Sequence, residues 1–96
     1  MTAYWIGRAE VLDEVAYGAY SERAEAIIIS YGGRYLARGG SNITMEGREF
    51  GRNVVIEFPS MQAALDCYKS KEYLAAWDCQ DGHAVRDLCI VEGLPA

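Results

Sequence analysis

The sequence predicts an α+β domain with its elements in the order βαββαβ. Short runs rich in branched and aromatic residues, such as Tyr4 to Val11 and Asn53 to Phe58, read as strands. Between them, apolar residues recur at three- and four-residue steps, the period of a helix. Glycine or proline closes most of these runs, which fixes where each element stops.

Tyr4 to Val11 forms the first strand. Asp13 then offers a side-chain cap, with Glu14 in the first turn where a carboxylate suits the helix dipole. Tyr17, Tyr20, Ala24, Ile27, Ile28 and Tyr31 make one apolar stripe of a long helix, which Gly32-Gly33 ends. Arg34 to Arg38 is the second strand, closed by Gly39-Gly40. Ser41 to Arg52 reads as a long hairpin connection, with strand extensions around Ile43 to Met45. Asn53 to Phe58 is the clearest strand, stopped by Pro59, and Ser60 caps a second helix whose inward stripe is Met61, Ala64, Leu65 and Tyr68. Ser70 restarts a short helical piece with Tyr73, Leu74 and Trp77 facing in. After a polar turn from Asp78 to His83, Leu88 to Val91 is the last strand, stopped by Gly93 and Pro95. Right-handed crossovers bring this order to a four-stranded antiparallel sheet with both helices on one face, the ferredoxin-like arrangement, with the first and third strands central.

The 96 residues make one domain, 1–96. A chain of this length buries roughly 60–70% of its unfolded surface, so its core is thin. A net charge of −5 lacks the field that phosphate neutralisation needs, so no nucleic-acid partner is expected. No run is long enough to span a bilayer, no membrane partner is expected, and the first residues lack a basic stretch before an apolar one. Cys67, Cys79 and Cys89 are odd in number and show no C-x-x-C spacing, which argues against a disulfide scaffold or a zinc site and for a cytoplasmic protein. The glycine pairs fit neither G-x-G-x-x-G nor a P-loop, and one histidine is too few for a metal triad. No cofactor is expected.

Strand side chains alternate between faces. By that parity Tyr4, Ile6, Leu36 and Val55 lie on the sheet face away from the helices, where a wet face should carry polar residues. Covering such a patch at roughly 25 cal/mol per Å² contributes several kcal/mol, comparable to the whole stability of a small domain. The expectation is a homodimer whose two sheets face each other.

Several motifs resemble one family over nearly the whole chain. They are Tyr31-Gly32-Gly33-Arg34-Tyr35-Leu36-Ala37-Arg38-Gly39-Gly40, Glu46-Gly47, Val54-Val55-Ile56-Glu57-Phe58-Pro59-Ser60, Tyr68 with Ser70, Glu72 and Tyr73, and Val91-Glu92-Gly93. Together they resemble the family of domain of unknown function 1330. The resemblance implies the dimeric α/β-barrel superfamily, which includes cofactor-independent monooxygenases, haem-degrading enzymes, small-molecule isomerases and lyases, and stress-associated proteins. Fold analogy of that breadth does not choose a reaction.

The same parity puts Arg8, Arg38 and Glu57 on the partner-facing side. One account of them is an ion-pair network that fixes dimer register. The other is the polar end of a cavity, with Arg38 and Arg8 gripping an anionic group, Glu57 as a base and Tyr4 nearby. His83 stands four residues after Cys79, a spacing that suits a thiol–imidazole pair on a helical turn and equally an ordinary polar turn. The expected activities are a cofactor-independent enzyme for a small, anionic molecule in an intersheet or sheet–helix pocket, a noncatalytic ligand-binding or stress-associated dimer, or a stability module without a ligand.

Overall fold

The computed structural model describes residues 1–78 and 82–95. Strand β1 (Ala3–Val11) leads to helix α1 (Glu14–Ser30), then strands β2 (Arg34–Arg38) and β3 (Arg52–Phe58). Helices α2 (Met61–Lys69) and α3 (Lys71–Asp78) follow, and strand β4 (Ala84–Glu92) ends the fold. The sheet order is β2-β3-β1-β4, and the paired strands run antiparallel. β1 and β3 are therefore central, as the sequence predicts.

Local chemistry sets the boundaries. The Asp13 carboxylate accepts from the backbone N–H groups of Val15 and Ala16 at 3.0 and 3.1 Å, satisfying two orphan donors of α1. At the other end the Gly33 N–H reaches back to the Ile28 carbonyl, and a Cβ on Gly33 would lie 2.9 Å from that same oxygen. Only glycine allows the chain to turn that closely into β2. Ser70 separates α2 from α3: its hydroxyl donates to the Cys67 carbonyl and accepts from the Tyr73 N–H.

The β1–β3 register pairs Trp5 with Ile56 and Ile6 with Val55, so the two faces separate cleanly. Ala3, Trp5, Gly7 and Ala9 are buried against the helices, while Tyr4, Ile6 and Arg8 point to the open side. Trp5 is the hub of the core, stacked on Phe58 with ring centroids 5.7 Å apart and meeting Tyr73 edge-on at 5.2 Å.

The structure corrects four local expectations. The second strand contains a β-bulge: Tyr35 pairs with Ile56 and Ala37 with Val55, leaving Leu36 as the extra residue. One inserted residue reverses parity beyond it, so Arg38 points to the helix side and not the partner-facing side. No strand forms over Ile43 to Met45. Instead the connection folds back, burying Phe50 under the guanidinium groups of Arg8 and Arg48. Leu74 is exposed and Ala76 takes the inward position on α3. Finally, β4 begins at Ala84, four residues before Leu88.

Candidate functional site

The helix-facing side of the sheet does not close completely against α1. A cavity of about 30 Å³ remains between them, walled by Trp5, Gly7, Ile56, Tyr17, Tyr20 and Tyr35. The α1 residues that face it, Tyr17, Tyr20, Ser21, Ala24 and Ile28, follow the helical repeat on one side of the helix. Gly7 keeps the sheet floor low, since a Cβ there would lie 3.3 Å from the Leu88 side chain.

Among the described residues, three arginines and no carboxylate line this cavity. Arg86 comes from β4. Its Nη1 donates to the Tyr73 hydroxyl at 2.8 Å and the Tyr20 hydroxyl at 3.0 Å, and its guanidinium lies 3.6 Å from the centroid of Trp77. Arg52 comes from β3, packs over Tyr17, and has a buried Nε with no hydrogen-bond partner. Arg38, at the rim, pairs with Glu25, donates to the Ser21 hydroxyl at 2.9 Å and lies over Tyr35.

The two tyrosine hydroxyls are 2.6 Å apart. Each accepts from Arg86, and only one of their two protons can lie between them. Tyr73 is fully buried, Tyr20 lines the cavity, and either hydroxyl can be the donor in the contact between them. Burial pushes both phenols above their ordinary range, and it pushes Tyr35 up to about 12 against the opposing pull of Arg38. Burial alone would lower the Arg86 pKa, but the Tyr20 and Tyr73 oxygens outweigh it and the pKa is raised. The site therefore holds fixed positive charge and hydroxyls that keep their protons. It can hydrogen-bond an anion.

A consequence for stability follows from the raised phenols. Below about pH 10 these tyrosines are neutral in both folded and unfolded chains. Above it the unfolded chain loses protons that the folded chain retains, so stability falls as pH rises. Tyrosinate absorbance is expected to show Tyr20, Tyr35 and Tyr73 titrating only together with loss of the near-UV circular dichroism of the fold. Ionisation of every tyrosine with that signal intact would contradict it.

The residues singled out from sequence are dispersed. Glu57 lies on the open face opposite Tyr4, where it pairs with Arg34 at 3.2 Å. Arg8 shares that face but sits four residues along β1 from Tyr4, about 13 Å away, where it donates to Asn53 Oδ1 at 3.0 Å. Arg38 alone of the three reaches the cavity, through the bulge at Leu36. His83 is half-exposed, with its Nδ1 3.7 Å from Asp13 Oδ2, and is not among the lining residues. Its proposed companion Cys79 lies outside the described residues.

Arg52, Arg86, Tyr20 and Tyr73 were missed as site residues. Arg86 had a usable signal: extending β4 back to Ala84 puts Ala84, Arg86, Leu88 and Ile90 on one parity, and that parity faces the core. An arginine in an otherwise apolar inward series needs a partner. Among the described residues no group of three histidines, cysteines or acidic residues could hold a metal ion, and no helix is long and apolar enough to cross a membrane.

The fold and the cavity define a ferredoxin-like α+β protein with an arginine- and tyrosine-lined space between sheet and helix. More particularly, the chain belongs to the family described as Domain of unknown function (DUF1330), which it matches over residues 2–94. None of the curated proteins compared with it matches. Among solved structures it is similar to a protein of unknown function from Rhodopseudomonas palustris, at 16% identity and a TM-score of 0.79, over 99% of this chain and 84% of that one. A dimeric protein of unknown function and ferredoxin-like fold from Bacteroides fragilis matches at 16% identity and a TM-score of 0.66, over 96% of both chains. SnoaB, a cofactor-independent oxygenase from Streptomyces nogalater, matches at 10% identity and a TM-score of 0.67, over 99% of this chain and 95% of that one.

Proposed function

We propose that this protein binds a small oxyanion-bearing molecule in the sheet–α1 cavity and acts on it as a cofactor-independent enzyme. The observation that carries this is the half-buried Arg86, which is held by two neutral hydroxyls and an indole. A guanidinium withdrawn from water without a carboxylate is costly, and a bound anion offsets that cost. Donors already aimed at one point stabilise negative charge on oxygen without reorganising, which is the chemistry that speeds reactions passing through an enolate or phenolate. The structural likeness to a cofactor-independent oxygenase supports the same reading.

Acetate is the simplest probe. Trp5 lines the cavity and Trp77 stacks on Arg86, so indole fluorescence reports occupancy. Acetate is expected to change it saturably, and the same ionic strength of chloride is not. With a ceiling of about 1.5 kcal/mol per heavy atom, the dissociation constant is expected to be no tighter than about tens of micromolar. A response identical for acetate and chloride would remove the proposal. A noncatalytic binding protein is the second reading, favoured because no carboxylate or imidazole stands among the described lining residues. Binding without turnover of any enolisable acid would select it.

We also propose that the open sheet face carries a second copy of the chain. Tyr4, Ile6, Val55 and Val91 lie together there by register, and Val91 is about half exposed. The neighbour from Bacteroides fragilis is described as dimeric. The Glu57–Arg34 pair and Arg8 then set register across the interface, which leaves Glu57 a structural role. Val55→Lys is expected to convert a micromolar dimer to monomer in equilibrium sedimentation. A monomeric wild-type chain at that concentration would refute it. The free thiols Cys67 and Cys89 suit a reducing compartment, and we place the protein in the cytoplasm on that ground.

A further inference from the structure

A second, outer cleft of about 260 Å³ lies beyond the cavity, lined by Glu10, Val11, Glu14, Gly39, Gly51 and Arg52. Among the described residues, Arg52 alone lines both spaces. Its guanidinium packs over the Tyr17 ring at 5.3 Å, and its buried Nε lacks a partner. Gly39 makes room for it: a Cβ at Gly39, which has φ +64°, would come within 3.0 Å of the Arg52 Nη1.

The two volumes restrict the ligand. An inner space of about 30 Å³ holds a water or two, or a group the size of a carboxylate, and nothing bulkier. Arg52, shared by the two spaces, gives a larger ligand a way onward. The outer cleft has room for several methylenes, but its charged lining beyond Arg52 is Glu10, already paired with Arg48, and Glu14. A second negative charge on the ligand would meet Glu14 there.

We infer that the ligand is a head-and-tail monoanion: a carboxylate-sized head in the inner cavity, on an unbranched tail without negative charge that passes Arg52 into the outer cleft. This rests on the anion-binding role proposed for the cavity, and it adds shape and charge selection. Arg52 is the selecting residue, because it lines both spaces and its buried Nε has no partner of its own.

Four carboxylates test this on the full chain by indole fluorescence: acetate, pentanoate, 2,2-dimethylpropanoate and glutarate. Pentanoate is expected to bind roughly tenfold tighter than acetate, from methylenes partly buried in the outer cleft. The branched acid is expected to bind at least about tenfold weaker than acetate, because its head cannot enter. Glutarate is expected to bind about tenfold weaker than pentanoate, and Glu14→Gln to recover most of that loss. Arg52→Met is expected to weaken acetate and pentanoate alike by roughly tenfold or more. Arg86-dependent acetate binding with pentanoate no tighter, or with the branched acid equal to acetate, would overturn head-and-tail selection and leave the anion cavity standing. Glutarate binding as well as pentanoate would overturn the charge rule. No acetate binding at all would overturn the cavity's role, and this inference with it.

Discussion

Trp5→Ala is expected to lower the stability of the fold by about 3–5 kcal/mol, the largest effect of any single substitution considered. Trp5 stands on a central strand, is 2% exposed, and meets Phe58, Tyr68 and Tyr73 through its ring. Truncation removes the transfer free energy of the indole and leaves a cavity that three other rings cannot collapse into without leaving their own contacts. Domains of this size have about 5–15 kcal/mol in total, so the variant is expected to be partly unfolded at room temperature. Trp5→Phe keeps the stacking on Phe58 and is expected to lose much less. Chemical denaturation of both variants checks this, and a loss under about 1.5 kcal/mol for Trp5→Ala would show that the core is organised around another residue.

Arg86→Met is expected to separate binding from folding. Methionine matches the length of the arginine stem and can still lie against Trp77, and the substitution removes a charge that is costly to bury. Stability is therefore expected to change by only about 1 kcal/mol in either direction. Carboxylate binding is expected to fall by roughly 10- to 100-fold, the loss of a charge-assisted hydrogen bond of about 1.5–3 kcal/mol. Arg38→Met serves as the comparison. Its guanidinium is already committed to Glu25 and Ser21, so binding is expected to fall by less than for Arg86→Met. Equal binding losses in the two variants would mean that the cavity acts through general positive potential and not through Arg86.

The architecture was legible because hydrophobic periodicity and capping residues agree locally. Asp13 and Ser60 each cap the helix they were expected to cap, Ser70 opens α3 where a helical piece was expected to restart, and the even-numbered residues of β1 occupy the open face as alternation requires. The site was less legible, for reasons that lie in particular residues. Alternation carries information only while the register is regular, and the bulge at Leu36 breaks it between Tyr35 and Arg38. Nothing in the Tyr35-Leu36-Ala37 stretch marks a bulge, since its usual glycine signal is absent. Arg52 and Arg86 each stand just outside the strand limits read from sequence, where no face could be assigned. Tyr20 and Tyr73 occupy core spacing, and their second role depends on a contact 53 residues apart in the chain. Phe50 lies under two arginines and outside the main hydrophobic cluster, so no hydrophobic pattern announces it.

These misses share a direction. The open face drew the candidate charges because it carries apolar residues that need covering, whereas a sheet–helix pocket was expected without residues assigned to it. Three inward arginines show that the core is incomplete on that side.

A crystal structure of the protein with pentanoate is the most direct test. The carboxylate is expected within hydrogen-bond distance of the Arg86 guanidinium and the Tyr20 hydroxyl, with the Arg52 Nε partnered and the tail directed toward Glu14. A carboxylate seated on the open face at Arg8 or Arg34, with the sheet–α1 cavity holding none, would contradict it.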